Sequence, residues 1–316
     1  MIELLGIDIG GTKCAVICGQ LDQGGNMTIV EKSYFPTNGL RNTLDAIFAA
    51  TETLVQKHGE IAAVGISCGG PLDNRRGIIM SPPNLPGWDD VHIVEMIGER
   101  FGLRAALEND ANACALAEWK FGAGRGCNNV IFLTFGTGLG AGIILDGRLY
   151  AGTNGNAGEI GHIRLSDFGP VGYGKAGSFE GFCSGGGIAQ MARAMAMEQM
   201  QMGRKVGFCP SLDTPITARS VAEAADRGDE LAREVFAVSG RFLGKGLSIL
   251  IDTLNPEVIV IGSIYVRSRH LLEEHMLQAL GHDALPFSAG VCRIVPAALD
   301  EHIGDYAALS IAANIL

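Results

Sequence analysis

The chain has 316 residues, a length that predicts two α/β domains because single hydrophobic cores rarely grow that large. Its formal net charge of −10 argues against a nucleic-acid-binding surface, which needs basic side chains to neutralise phosphates. The eight cysteines show no C-x-x-C pair, and no apolar run approaches the ~18 residues of a membrane span. We therefore expect a cytoplasmic protein without a disulfide framework, a zinc site, a signal peptide or a membrane segment.

The first predicted elements are two strands joined by a glycine turn. An apolar strand, residues 5–9, runs into Gly10 and Gly11, and a second strand covers residues 14–18. Glycines let backbone N–H groups approach an anion closely. Asp8 lies between two isoleucines, where a buried carboxylate needs a partner. Two interpretations stay open: Asp8 accepts hydrogen bonds from the turn amides, or it holds a hydrated Mg²⁺ beside a phosphate loop.

The rest of the first half alternates strands and helices. The predicted strands are 27–34, 61–67 and 104–107, and the predicted helices are 43–57, 91–101 and 111–120. The last strand runs into Glu108, Asn109 and Asp110 at its carboxyl end, the edge that faces ligands in open α/β sheets. Such neighbouring donors and acceptors suit a polyol. Asp110 by itself could also be an N-cap or first-turn acid of the helix that follows.

The second half opens with an echo of the first turn, which suggests two related lobes. A strand at 128–135 leads into Gly136, Thr137 and Gly138, and a strand at 141–145 follows. These glycines also fit the dinucleotide pattern G-x-G-x-x-A. That pattern requires a helix directly after the glycines, whereas residues 141–145 are strand-like, so a dinucleotide fold is not predicted.

A long glycine-rich segment, residues 152–187, is predicted to form part of a site because idle connections of that length are uncommon. It carries Glu159, His162 and Glu180, each of which alone would more often be a surface residue. The elements predicted beyond it are helices 188–200, 218–227, 229–254 and 268–280, strands 258–261 and 292–295, and a closing helix from residue 305. We expect one lobe over residues 1–120, with a closing helix at about 303–316 packed back on it, and a second lobe over 121–302.

Four motifs in this order and spacing resemble the ROK family of sugar kinases and sugar-responsive repressors. They are Asp8-Ile9-Gly10-Gly11-Thr12-Lys13, Glu108-Asn109-Asp110-Ala111-Asn112, Gly136-Thr137-Gly138-Leu139-Gly140 and Gly158-Glu159-Ile160-Gly161-His162. The resemblance implies a two-lobed ribonuclease-H-like (actin-like ATPase) fold with a cleft between the lobes, and usually a homodimer. It also implies ATP and Mg²⁺ as cofactors.

Residue roles follow from the same resemblance, motif by motif. It places the ATP phosphates beside Gly10, Gly11, Thr12, Lys13, Gly136, Thr137 and Gly138, and the nucleoside beside Gly262. It assigns the sugar hydroxyls to Gly70, Asn109, Asp110, Glu159, His162 and Glu180. Asp110 would be the catalytic base.

Two departures from the family pattern stand out. Members commonly carry a zinc knuckle, C-x-C-G-x-x-G-C-x-E, whereas residues 171–180 here read VGYGKAGSFE and contain no cysteine. We therefore expect no zinc site there, with Tyr173 and Phe179 bracing the segment instead. The family's glycine cluster also appears as Gly262-Ser263-Ile264, which bears on nucleotide preference. The repressors' helix-turn-helix domain is not expected here, so neither DNA nor a membrane is a predicted partner.

The predicted function is ATP-dependent phosphorylation of a free hexose, glucose or a close relative, at its terminal hydroxyl. The alternative is a non-catalytic sugar-binding sensor on the same fold. Asp110 and the two glycine turns favour the enzyme.

Overall fold

The computed structural model describes residues 1–211 and 213–316, which divide into two compact units. Unit 1 comprises Met1–Asn128, Gly142–Ala157 and Ala298–Leu316, and unit 2 comprises Asn129–Ala141 and Gly158–Ala297. Each unit has its own sheet-and-helix core, as the predicted α/β alternation requires. None of the helices in the described ranges is both long and apolar enough to cross a bilayer.

The elements are numbered in chain order. Up to residue 128 they are β1 (Ile2–Ile9), β2 (Lys13–Leu21), β3 (Met27–Pro36), α1 (Leu40–His58), β4 (Ile61–Cys68), β5 (Leu72–Asp73), β6 (Ile78–Ile79), α2 (Ile93–Phe101), β7 (Ala105–Asn109) and α3 (Asp110–Phe121). Beyond it they are β8 (Val130–Phe135), β9 (Leu139–Leu145), β10 (Arg148–Leu149), β11 (Val171–Gly172), β12 (Lys175–Ala176), α4 (Phe179–Phe182), α5 (Gly185–Gln201), α6 (Ala218–Asp226), α7 (Glu230–Leu254), β13 (Val258–Ile261), α8 (Ile264–Asp283), α9 (Pro286–Ala289), β14 (Arg293–Pro296) and α10 (Ile303–Asn314). Short 3-10 turns cover Ile160–His162 and Asp300–His302.

The sheet of unit 1 has the strand order β3-β2-β1-β4-β7. β1, β4 and β7 are parallel, and the register pairs Asp8 with Ser67 and Cys68 with Asn109. The carboxyl ends of these three strands therefore meet at one edge of the sheet. Helix α10 packs closely on β4, since a Cβ on Gly65 would lie 2.1 Å from the backbone oxygen of Ala308.

The second sheet has the strand order β10-β9-β8-β13-β14, with β8, β13 and β14 parallel. Two helices of unit 2 begin earlier than the sequence predicted. α5 starts at Gly185, three residues before the predicted start, because the Ser184 side chain accepts from the Gly187 N–H and so caps the first turn. α8 starts at Ile264, directly after β13, and its backbone is non-helical at Ser268.

Candidate active site

The turn between β1 and β2 is shaped by two glycines that no larger residue could replace. The Gly10 N–H donates to the backbone oxygen of Lys13 at 3.1 Å, and a Cβ on Gly10 would lie 2.8 Å from that same oxygen. A Cβ on Gly11 would lie 2.6 Å from the backbone oxygen of Asn84. The Thr37 hydroxyl donates to the Gly10 oxygen at 2.6 Å. The turn is therefore closed by one backbone hydrogen bond and bound by the Thr37 hydroxyl.

The outer side of this turn is open to a ligand. Gly11, Thr12 and Lys13 are all exposed, as a phosphate loop requires. The Gly10 amide is engaged by Lys13, so it is not available to Asp8. Of the turn amides that could partner Asp8, the Gly10 amide is therefore excluded.

Asp8 lies at the carboxyl end of β1 among other acids. Burial is the main reason that the pKa of Asp8 rises from 3.8 to about 6. The negative charges of Asp305 and Asp110 raise this pKa further. Lys32 opposes the rise, although it also forms an ion pair with Asp305 at 2.6 Å. A buried Asp8 carboxylate beside the negative charges of Asp305 and Asp110 is an arrangement that a hard divalent cation such as Mg²⁺ would stabilise.

The run 108–110 divides into one structural and two site residues. Glu108 is buried, and its oxygens accept from the Asn109 N–H, from Asn112 Nδ2 and from Asn74 Nδ2, at 2.9 to 3.0 Å. Asn109 is the N-cap of α3, since its Oδ1 accepts from the Ala111 N–H. Asp110 is exposed in the first turn of that helix. The geometry thus makes Asp110 the first-turn acid and leaves its carboxylate accessible.

Two further residues lie at the same edge of unit 1. A Cβ on Gly70 would be 3.6 Å from Asn109 Nδ2, which places Gly70 beside Asn109 as predicted. A Cβ on Gly69 would be 3.6 Å from Asn84 Nδ2. Asn84 was not predicted as a site residue, and only its position between prolines in a helix-free loop could have indicated it. Its contacts with Gly11 and Gly69 link that loop to the phosphate turn.

The second glycine turn, in unit 2, adjoins a helix N-terminus. The Gly136 N–H donates to the Gly138 oxygen at 3.0 Å, and the Gly185 N–H donates to the Gly136 oxygen at 2.8 Å. Gly185 is the first residue of α5, so the amide end of a 17-residue helix faces the turn. Helix N-termini favour phosphate through unpaired N–H groups and the helix dipole. Sequence reasoning missed this part of the site, although the run Ser184-Gly185-Gly186-Gly187 has the capping residue of a helix start.

A cavity of about 940 Å³ opens beside this turn within unit 2. Its walls include Thr137, Gly186, Arg219, Ala222 and Arg267. The volume is in the range of small-molecule and cofactor sites. The size of the cavity, the backbone amides of the neighbouring turn and the two arginines suit a nucleoside whose phosphates lie at that turn.

Ser263 lies in the wall of the same cavity with an unusual backbone conformation. Its φ of 58° and ψ of −110° belong to a region that side chains disfavour. Its hydroxyl accepts from Arg267 Nη2 at 3.3 Å and lies 3.5 Å from the position of a Cβ on Gly136. The neighbouring Gly262 would bring a Cβ to 3.1 Å from the Phe132 ring. The glycine cluster expected by resemblance is thus replaced by a serine at its strained position.

The glycine-rich segment places Glu159 near His162 and Glu180 beside Gly161. His162 Nε2 lies 3.8 Å from Glu159 Oε2, and the Cβ of Glu180 lies 3.2 Å from the position of a Cβ on Gly161. Glu180 Oε2 also accepts from the Leu139 N–H at 3.0 Å. The carboxylates of Glu159 and Glu180 and the imidazole of His162 can bind hydroxyl groups. Glu180 lies next to β9, the strand that follows the second glycine turn.

The bracing of this segment comes from hydrogen bonds and one buried ring. Lys175 Nζ donates to the His162 backbone oxygen at 2.7 Å, and the Gln190 side chain bonds both backbone groups of Val171 at 2.9 Å. Phe179 is fully buried, in contact with Gly246. Tyr173 is 79% exposed, and its ring meets the His162 ring edge-to-face at 5.2 Å. Tyr173 therefore covers one edge of the His162 ring and does not brace the segment as a buried residue. The absence of zinc from this segment stays a prediction.

Comparison with known proteins gives a consistent result. The ROK family profile matches residues 4–314. A glucokinase of Streptomyces coelicolor is 36% identical over 261 residues, which are 82% of this chain and 80% of that protein. The DNA-binding transcriptional dual regulator NagC of Escherichia coli is 34% identical over 221 residues, covering 69% of this chain and 52% of NagC.

A solved structure supports the same relationship. The ROK family glucokinase from Streptomyces griseus, crystallised in complex with glucose and AMPPNP, is 31% identical, with a TM-score of 0.75 and 99% of both chains covered. Such kinases have the two-lobed ribonuclease-H-like (actin-like ATPase) fold, so the predicted fold class is confirmed.

Proposed function

The chain belongs to the ROK family, and on that basis we propose that it is a kinase that transfers the γ-phosphoryl group of ATP to the terminal hydroxyl of a free hexose, glucose or a close relative. The observation that carries this proposal is the accessible carboxylate of Asp110 in the first turn of α3. Its neighbour Asn109 offers an amide to an adjacent hydroxyl. A binding protein needs hydroxyl acceptors, but only a phosphoryl-transfer enzyme needs a base at the reacting hydroxyl.

In unit 1, we assign the proton and the sugar to the strand ends. Asp110 accepts the hydroxyl proton as the sugar oxygen attacks phosphorus, and Asn109 and Gly70 lie beside the neighbouring hydroxyls. Asp8 would hold Mg²⁺ through water, because its acidic surroundings favour a cation. When bound, that ion would neutralise phosphate charge as it develops. The exposed Thr12 and Lys13 would face the phosphates.

In unit 2, we assign the nucleotide to the large cavity. The Gly136-Thr137-Gly138 turn and the N-terminus of α5 would take the phosphates. The space beside Ala222 and Ser263, next to Gly262 in the chain, would take the nucleoside. Glu159, His162 and Glu180 would take sugar hydroxyls through their mixed donors and acceptors. Phosphoryl transfer asks a protein mainly for such positioning and charge neutralisation.

A second candidate function is sugar-responsive regulation without catalysis. The observation that favours it is the 34% identity to NagC, a DNA-binding regulator. A sensor would bind a sugar without turning over ATP, so the two functions differ in a measurable product.

A coupled ADP-release assay with ATP and Mg²⁺ tests the proposal. The sugar panel should include glucose, mannose, fructose, N-acetylglucosamine and N-acetylmannosamine, with Asp110→Asn as the matched inactive control. We expect sugar-dependent ADP release with a kcat on the order of 1–10³ s⁻¹ for one of them. Calorimetric binding of a sugar without ADP release from any member of the panel would establish the sensor instead.

A further inference from the structure

Three side chains that can bind a metal meet at the start of the unit 1 sheet. Glu3 Oε2 lies 3.3 Å from His58 Nδ1 and 3.6 Å from Cys18 Sγ, and the three ligand atoms all lie within 4.8 Å of one another. Glu3 is five residues from Asp8 along β1, or about 17 Å at the rise of a strand. This cluster is therefore separate from the residues assigned to catalysis.

The sheet register produces the cluster. Glu3 of β1 pairs with Gln20 of β2, so Cys18, two residues before Gln20, points to the same face. Cys18 in turn pairs with Glu31 of β3. Helix α1 covers this face and ends with His58 directly over these strands, because Gly59 at φ 79° terminates it.

A second set of side chains binds the other polar atom of two of the three ligands, Glu3 and His58. Gln20 Nε2 donates to Glu3 Oε1 at 2.9 Å, which leaves Glu3 Oε2 directed at the cluster. Glu31 Oε2 lies 3.0 Å from His58 Nε2, and Lys57 Nζ lies 2.8 Å from the same oxygen. A histidine that ligates a metal through one ring nitrogen usually donates the other N–H to a carboxylate. Here that arrangement leaves His58 Nδ1 facing Glu3 and Cys18.

Two of the three separations match those between ligands of one tetrahedral ion, and the third is within 4.8 Å. Zinc bonds of about 2.3 Å to sulfur and about 2.0 Å to oxygen and nitrogen place tetrahedral neighbours about 3.5 Å (S and O) and about 3.3 Å (N and O) apart. The observed 3.6 Å and 3.3 Å agree with these values. The alternative to a metal is a network of hydrogen bonds alone, in which the Cys18 thiol donates to Glu3 Oε2 and His58 lies between Glu3 and Glu31. A metal and this thiol hydrogen bond exclude each other, because the ion takes the place of the thiol proton.

We propose that Glu3 Oε2, Cys18 Sγ and His58 Nδ1 bind one divalent ion of the zinc class, with water as the fourth ligand. The ion forms a bond to the Cys18 sulfur, and the thiol proton leaves to solvent. It ties β1, β2 and the end of α1 together and so stabilises the sheet on which the catalytic edge is built. The C-x-C pattern of the family plays no part in it.

Zinc titration of chelator-stripped, buffer-exchanged protein tests this site by calorimetry, with cobalt as a spectroscopic probe. We expect one zinc per chain, a higher melting temperature with zinc, and a thiolate-to-cobalt charge-transfer band. Cys18→Ser should abolish that band, and Glu31→Gln should weaken zinc binding about 10–100-fold. His92→Gln is the matched control, because His92 also lies between two carboxylates, Asp90 and Glu95. Among the described residues, no cysteine joins His92 in a metal-binding group.

The outcomes distinguish a bound metal ion from a cluster that is held by hydrogen bonds alone. Absence of stoichiometric zinc binding would overturn the site. Zinc binding and a cobalt band that Cys18→Ser leaves unchanged would also overturn it, and the hydrogen-bonded network would remain as the account of the cluster. If Cys18→Ser does not fold, Glu3→Gln carries the test, since Glu3 is partly exposed and the change is nearly isosteric. Zinc affinity equal to wild type in Glu3→Gln would then reject the proposal.

Discussion

Glu180 Oε2 accepts a hydrogen bond from the backbone N–H of Leu139 at 3.0 Å. Leu139 is the first residue of β9, directly after the Gly136-Thr137-Gly138 turn, and is 5% exposed. The last acid of the glycine-rich segment is therefore attached to the strand that leaves the predicted phosphate turn. Within unit 2, this bond couples a residue assigned to sugar with residues assigned to ATP.

The first prediction follows from that bond. Glu180→Ala should raise the KM for ATP as well as for sugar, since a buried N–H without an acceptor costs about 1–3 kcal/mol. Glu159→Ala, which removes no such bond, should raise only the sugar KM. Steady-state kinetics and nucleotide calorimetry without sugar measure the difference. Glu180→Gln keeps an acceptor oxygen and should restore ATP affinity; wild-type ATP affinity in Glu180→Ala would contradict the coupling.

The second prediction concerns the proton acceptor. Asp110→Asn keeps the shape and much of the hydrogen bonding of the side chain but removes its basicity. We expect kcat to fall by roughly 10²–10⁴ with a much smaller change in sugar KM. Measuring kcat and the sugar KM of wild type and variant at saturating ATP tests this prediction. Turnover within a few-fold of wild type would reject Asp110 as the base.

The third prediction uses the pKa of Asp8. Its folded value of about 6 exceeds 3.8, so the folded state binds more protons between about pH 4 and 6 and loses stability as pH rises through that window. Asp8→Asn removes this loss. At pH 7 and without Mg²⁺, the variant should be more stable than wild type by up to about 3 kcal/mol, at 1.36 kcal/mol per pKa unit. Denaturant unfolding at several pH values measures the difference.

The excess stability of Asp8→Asn over wild type should shrink as the pH falls and vanish near pH 4. The kinase activity of the variant should stay low at every pH. Asp45→Asn, which removes a carboxylate at an exposed position on α1, serves as the control. A stability difference between Asp8→Asn and wild type that is constant from pH 4 to 7 would show that Asp8 ionises normally.

The fourth prediction concerns Ser263. Because a side chain at φ 58° and ψ −110° is strained, Ser263→Gly should raise the free energy of unfolding by about 1 kcal/mol. Ser263→Ala keeps the backbone strain and loses the hydrogen bond from Arg267, so it should not raise the free energy of unfolding. Urea unfolding of the three proteins compares these values. A glycine variant less stable than the alanine variant would show that the backbone strain is not relieved.

The fifth prediction is that the segment at 171–180 needs no zinc. In a Cys18→Ser background, which removes the metal site inferred above, a strong chelator followed by restored Mg²⁺ should leave the sugar KM unchanged. Lys175→Ala should raise the sugar KM instead, because Lys175 holds the backbone of His162. An increase in sugar KM on chelation in that background would indicate a metal in the segment after all.

The sequence alone determined the features that depend on neighbours along the chain. Glycine turns, capping residues and the alternation of strands and helices are set by local sterics and hydrogen bonds, so Gly10, Gly136 and most elements could be placed from spacing. The order of four such motifs was enough to indicate the family and the fold. Helix starts at Gly185 and Ile264 were misplaced because glycine and serine there were taken as loop residues.

Only the tertiary structure decided which side chains meet. In one run of three polar residues, Glu108 is buried and Asp110 is exposed. One of the hydrogen bonds that hold Glu108 comes from Asn74, thirty-four residues away. Glu3, Cys18 and His58 show no metal-binding spacing, yet strand register and the end of α1 bring them together. Such contacts arise from the pairing and packing of distant elements, and spacing along a single chain does not encode them.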